Sequence, residues 1–186
     1  MSVSIQFVDG VLIIINRMES NILNENSLLE IRQLLSAVCD PEIPVLTIAD
    51  LGILREVKMV GEIIEITITP TYTGCPAMDM ITMNIRLALI EHGYRNIVIK
   101  CILSPAWTTD WMTEAGKDKL KAYGIAPPNP TQAVCEPKLF AAAEAIQCPL
   151  CNSWHTKLIS QFGSTACKAL YQCLDCREPF DYFKCH

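Results

Sequence analysis

Ile63-Ile64-Glu65-Ile66-Thr67-Ile68-Thr69 runs through Pro70-Thr71-Tyr72-Thr73-Gly74-Cys75-Pro76 into an apolar segment from Ala77 to His92. Ile64, Ile66 and Ile68 alternate with Glu65, Thr67 and Thr69, the period-two pattern of a strand with one buried and one polar face. Pro76 suits the first position of a helix, where its missing N–H costs nothing, and this makes Cys75 the expected cap. Met80, Ile81, Ile85, Ala88 and Leu89 then fall along one side of the helix, and Gly93 ends it. A strand, a glycine turn and an amphipathic helix in direct succession set an α+β unit at the centre of the chain.

Upstream, Val57 to Val60 pairs with the central strand across Gly61-Glu62, a hairpin. Ser27 with Glu30 three residues on reads as a capping box, and Leu28, Ile31, Leu35 and Val38 repeat at helical spacing. Cys39-Asp40-Pro41 stops that helix. Asp40-Pro41-Glu42-Ile43-Pro44 is a stiff acidic turn before the apolar stretch from Val45 to Leu54. Downstream, Ile97 to Leu103 predicts a third strand with Ile97, Ile99, Cys101 and Leu103 on one face, and Thr113 to Tyr123 a short polar helix before Gly124. The expected architecture is α+β over residues 25–126, a small sheet with helices packed on one face. Residues 1–24 are an extension that either forms a hairpin about Asp9-Gly10 or stays mobile. Pro127-Pro128-Asn129-Pro130 opens a linker, 127–147, from which residues 148–186 hang as a tethered zinc ribbon.

The tail carries Cys148-Pro149-Leu150-Cys151 and, after a 21-residue insert, Cys173-Leu174-Asp175-Cys176. Two such knuckles have the spacing of a closed four-thiolate metal site, which is structural and not catalytic, and a segment this short needs more than an apolar core to fold. Zinc is the expected ion, although four thiolates also suit iron. A disulfide scaffold is the rival reading, but it needs an oxidising compartment. The amino terminus has no basic leader or cleavage site, and the longest aliphatic run, Val11 to Ile15, cannot span a bilayer, so the expected setting is a cytoplasm with reduced thiols. His155 reads as a surface hydrogen-bonding residue. Cys167 and Cys185 are either packed thiols or, with His186, a second sulfur or metal site.

A net charge of −5 over 186 residues argues against nucleic acid as a partner. Lys117, Lys119 and Lys121, the densest basic stretch, read as a solvated helix face. Cys75 would feel the positive end of its helix, lowering its pKa toward the thiolate, or it is simply a small cap. Asp79 faces the same mouth or serves as a dipole partner. His92 lies 17 residues along the same helix, roughly 25 Å away, so a thiol–imidazole pair with it is excluded if the helix is continuous, and His155 or His186 could serve only by docking across the linker. There is no Glu-x-x-His pair of the kind that builds a di-iron centre in a helix bundle. Trp107 and Trp111 are either core plugs or anchors for a protein partner.

Asp40-Pro41-Glu42-Ile43-Pro44 with Asp50-Leu51-Gly52 and Thr73-Gly74-Cys75-Pro76 resembles the small iron–sulfur assembly factors related to SufT and MIP-type proteins. Thr69-Pro70-Thr71-Tyr72, Pro105 to Met112, Phe162 to Tyr171 and Glu178 to His186 resemble the PaaD family, accessory components of the phenylacetyl-CoA epoxidase system. This resemblance covers about residues 25–186. It implies a maturation factor of aerobic phenylacetate breakdown that does not itself epoxidise the ring. It also implies that Cys75 contacts a transient iron–sulfur cluster or iron, with the reductase or oxygenase component as partner. A single exposed thiol per chain suits a labile cluster, particularly one shared across a homodimer. The alternative is a structural adaptor that docks through the ribbon and Trp107/Trp111 without metal transfer.

Overall fold

In the computed structural model, which describes residues 4–8, 11–15, 17–128 and 146–184 and side chains from residue 26 onward, the isoleucine run is the middle strand of a three-stranded sheet. The elements are β1 (Ser4–Val8), β2 (Val11–Ile15), α1 (Arg17–Leu35), β3 (Leu54–Val60), β4 (Ile63–Ile68), α2 (Ala77–Glu91), β5 (Ile97–Cys101), α3 (Glu114–Ala122), β6 (Thr156–Ser160), β7 (Lys168–Cys173) and β8 (Pro179–Phe183). β3 and β4 pair antiparallel, and β5 joins β4 in parallel after the α2 crossover.

The period-two reading of β4 holds. Ile64, Ile66 and Ile68 are all buried, each contributing about 1.5–3 kcal/mol of apolar transfer. On the opposite face Glu65 sits between Lys100 at 2.9 Å and Lys58 at 3.6 Å. The sheet is therefore one-sided, as expected, and its buried face meets Ile31 and Leu35 of α1, Ile81, Ile85 and Leu89 of α2, and the 38–53 segment. In that segment Val38, Ile43, Leu46, Ile48, Leu51 and Ile53 are all buried.

Local chemistry explains the helix ends. After α2, Gly93 takes φ +89°, its N–H reaches the Ile90 carbonyl, and the Tyr94 N–H reaches that of Leu89, a Schellman closure. Thr113 caps α3 by accepting the Gly116 N–H at 2.9 Å.

Four expectations need correcting. α1 starts at Arg17, so Ser27 lies inside the helix and is not its cap; Arg17 to Asn26 contains no glycine or proline that would stop propagation. Met80 is half exposed and outside the core, because Ala77, Ile81, Ile85 and Leu89 define the buried stripe. β5, an outer strand of the sheet, ends at Cys101, and Cys101 at its end and Leu103 beyond it are exposed. The fourth concerns the ribbon, which does not hang on a tether. Ala126, leaving α3, bridges Tyr182 in parallel, its N–H donating to the Asp181 carbonyl at 2.8 Å and its carbonyl accepting from the Phe183 N–H at 2.9 Å. Phe183 and Cys167 are buried in the main core, and Ala126 and Ile146 in the ribbon's own. The expected linker thus shrinks at both ends, and residues 129–145 lie outside the described residues. The hairpin alternative for the first residues agrees with the antiparallel pairing of β1 and β2; Asp9-Gly10 lies outside the described residues.

Asp50 ties α3 to the 38–53 segment. Its carboxylate accepts from the Thr47 N–H at 3.0 Å, the Thr47 hydroxyl at 2.9 Å and Lys119 Nζ at 2.6 Å. Burial works to raise its pKa, but these donors outweigh it and hold the carboxyl below its ordinary value. Asp50→Asn should cost about 1–3 kcal/mol near neutral pH. Because the folded pKa is depressed, the wild-type advantage is full above the unfolded value of about 3.9 and disappears as pH falls through the lower folded one. Urea unfolding of both proteins across an acid series checks this, and a pH-independent difference counts against it.

Candidate metal and thiol sites

The ribbon's knuckles sit on turns that β6, β7 and β8 bring together. Cys148 precedes β6, Cys173 ends β7, and Cys176 lies in the turn to β8. Their sulfurs and that of Cys151 all lie within 4.8 Å of one another. Cys148 Sγ is 3.8 Å from Cys176 Sγ, and Cys151 Sγ is 3.5 Å from Cys173 Sγ. Four sulfurs bound tetrahedrally at about 2.3 Å are about 3.8 Å apart, so the set fits a closed four-coordinate metal. All eight described cysteines are free thiols, so the disulfide scaffold is not what assembles this tail.

The electrostatics of the knuckles favour bound sulfur. Burial works to raise the Cys173 pKa, yet the backbone N–H groups of Cys176 and Asp175 aim at its sulfur and bring it down to about 7. Cys176 is pushed up to about 12, against the pull of the Glu178 N–H, by burial and the three neighbouring sulfurs. Cys173 thus forms a thiolate readily, whereas Cys151 and Cys176 are held above their ordinary value. His155 stands outside this set, with its Nδ1 2.9 Å from Asp175 Oδ1, in agreement with the surface reading.

The second site lies at the mouth of α2. Cys75 is half-buried, its carbonyl accepts from the Met78 N–H at 3.3 Å, and its sulfur takes a hydrogen bond from the Ala77 N–H. The N-cap is Pro76 and not the expected Cys75, because Pro76 already has helical dihedrals (φ −68°, ψ −22°) and α2 begins after it at Ala77; the direction of the pKa also differs from expectation. Burial raises it, and the carboxylates of Glu42 and Asp40 add to that, outweighing the Ala77 N–H and the Tyr72 hydroxyl. Gly74 needs its φ of +83°, and a Cβ there would meet nothing within 4 Å, so the approach to Cys75 is open on that side. Asp79 is exposed in the first turn of α2.

Asp40 organises the acidic turn opposite. Its Oδ1 accepts from the Glu42 and Ile43 N–H groups, both at 2.8 Å, and burial still keeps its pKa above the usual value. Glu42 Oε2 then lies 3.9 Å from the sulfur of Cys167, a residue of the ribbon. Cys167 is only 5% exposed, which places it in the interior of the protein and away from the four-sulfur set. Cys185 and His186, expected with it, lie outside the described residues. Reading along the chain missed Glu42 and Tyr72 as neighbours of Cys75. The one available signal was the acidic Asp-Pro-Glu turn, which says nothing about what it faces.

The tryptophans are placed differently from each other. Trp107 is 3% exposed, donates its Nε1–H to the Leu51 carbonyl at 2.8 Å and meets Phe183 edge-on at 6.1 Å. It is a core plug between the two domains, and a partner cannot reach it. Trp111 is half-buried, with the Arg55 guanidinium 3.4 Å from its ring centroid. Among the described residues no helix is long and apolar enough to cross a membrane.

Comparison with known proteins adds two family matches, a PaaD zinc beta ribbon domain over residues 132–184 and an iron-sulfur cluster assembly protein over residues 29–92. A relative from Escherichia coli (strain K12), named as one of the subunits of a "Putative 1,2-phenylacetyl-CoA epoxidase", is 53% identical over 156 residues, 84% of this chain and 92% of that protein. An "Fe-S protein maturation auxiliary factor" of Porphyromonas gingivalis (strain ATCC BAA-308 / W83) is 33% identical over 87 residues, 46% of this chain and 82% of that one. Among solved structures, a domain of unknown function, DUF59, from Bacillus anthracis superposes with a TM-score of 0.50 at 25% identity, covering 54% of this chain and 96% of that one.

Proposed function

Because the chain belongs to the PaaD family, with a relative named as a component of a phenylacetyl-CoA epoxidase, we propose that it is an accessory factor that helps assemble an iron–sulfur or iron centre in that multicomponent system. The observation that carries this reading is Cys75, a half-buried thiol at a helix mouth beside Glu42 and Tyr72, approached freely over Gly74, within a domain of the iron–sulfur assembly type. Cys75 contacts the iron-containing cargo, and the reductase or oxygenase component receives it.

The ribbon holds zinc as a structural ion. Cys148, Cys151, Cys173 and Cys176 would bind it, with the Cys176 and Asp175 N–H groups orienting the sulfur of Cys173. Zinc with four thiolates supplies folding energy and no chemistry, which agrees with catalysis residing in other subunits. An adaptor role through Trp107 finds no support, since that ring is occupied by Leu51 and Phe183.

Co-expression of the epoxidase components with a Cys75→Ser variant tests the cargo role. Cluster or iron occupancy of the clients and epoxidase turnover should fall to the level reached without this chain. Unchanged occupancy with a folded variant overturns the reading.

A further inference from the structure

α2 has two apolar faces, and the sheet uses only one of them. Ala77, Ile81, Ile85 and Leu89 are buried in the core, whereas Met80, Met83, Leu87 and Ile90 are 40–64% exposed. A surface helix needs one apolar stripe to hold it on its domain, so the second calls for a different cover. Its members are spaced three, four and three residues apart. That is the seam of a two-helix coiled coil, with Met80 and Leu87 at position a of the seven-residue repeat and Met83 and Ile90 at position d. We propose that this seam is a homodimer interface, in which α2 of one copy lies parallel to α2 of a second copy about a two-fold axis.

The residues beside the seam select both the occupant and its direction. In a parallel pair each g position stands beside the next e position along the partner, and here Asp79 and Arg86 are at g, Asn84 and Glu91 at e. Asp79 then meets Asn84 of the partner subunit and Arg86 meets Glu91 of the partner subunit, each contact made twice by symmetry and none between like charges. Antiparallel helices would instead set Arg86 against its own counterpart. Asp79, Arg86 and Glu91 are exposed, and Arg86 is steadied by one N–H donated to the Ile97 carbonyl at 3.2 Å. Because α2 is already folded on its sheet, pairing carries no cost of helix nucleation. A seam of four residues is well below the ~800 Å² that each partner gives to a standard stable interface, so the dimer is a weak one, with a Kd on the order of 10 µM. Both α2 N-termini lie at one end of such a pair, which brings the two Cys75 mouths to the same end.

The test uses the full chain under reducing conditions. Sedimentation velocity over a series from about 1 to about 200 µM should show monomer giving way to dimer. Met83→Glu and Leu87→Glu, both at exposed positions, should keep the wild-type fold and weaken dimerisation at least tenfold. Arg86→Glu alone and Glu91→Arg alone should each weaken it too, since each sets like charges across both flanks. Mixed in equal amounts, those two variants should dimerise with each other about as well as the wild type does with itself, because both flanks are again opposite in sign. A wild-type chain that stays monomeric at the top of the series leaves the seam to a different protein and overturns the inference. So does a dimer that persists in both Met83→Glu and Leu87→Glu, or a charge-swapped mixture that fails to pair. Should Arg86→Glu not fold for want of its Ile97 contact, the Met83 and Leu87 variants decide.

Discussion

Cys173→Ser should unfold the ribbon from Ile146 to Lys184 while leaving the β3–β4–β5 sheet intact. Among the described residues the ribbon's own core holds Ala126, Ile146, Cys148, Ala169, Tyr171, Cys173, Phe180 and Tyr182, and two of those eight are metal-set cysteines. Tyr171 stacks on Phe180 and meets Tyr182 edge-on, which is too little apolar area to order three short strands alone. Metal binding in small four-ligand domains supplies about 10–16 kcal/mol, and here that free energy is folding free energy. Removing one of four thiolates should forfeit most of it. Hydrogen exchange reads the result directly: the β7 amides should lose protection in the variant, and in the wild type under a strong chelator. Protected β7 amides in metal-free protein would show that the strands stand without the ion.

Trp107→Ala should cost about 3–5 kcal/mol, the usual range for deleting a buried large aromatic. The indole is 3% exposed, its N–H satisfies the Leu51 carbonyl, and its ring meets Phe183 of the ribbon. Truncation leaves that carbonyl without its partner and opens a void where the two domains meet. For a chain of this size the loss corresponds to a melting shift on the order of 10 °C. Trp107→Phe, which keeps an aromatic ring but not the N–H, should lose a smaller share. A melting temperature within a degree or two of wild type in Trp107→Ala would mean that the ring does not join the domains.

How far the chain could be read without its structure differs from element to element. β4, the end of α2 and the α3 helix were legible because each depends on residues close in sequence: alternation at Ile64, Ile66 and Ile68, Gly93 in a left-handed turn, and the polar run from Thr113 to Tyr123. The four-sulfur set was legible for the same reason, its knuckles being local and their pairing the only arrangement that closes a site. The docking of the ribbon was not. It depends on Ala126 joining β8 and on Phe183 finding Trp107, contacts between residues more than fifty positions apart, and no pattern in either segment names the other. Cys167 read either as a packed thiol or as a partner of Cys185 and His186, and neither reading pointed to Glu42, to which folding carries it. The same blindness hid the burial of Cys75, and with it the nearby carboxylates, that reverse the direction expected of its pKa.

The salt-bridged face of the central sheet has one more consequence. β3 and β5 are its outer strands, and each bears a lysine, Lys58 and Lys100, drawn toward Glu65 on the strand between them. A foreign strand laying itself against either margin would have to bring its own side chains alongside an ammonium group, which disfavours unwanted pairing. The chain is thereby guarded against sticking to its own copies edge to edge.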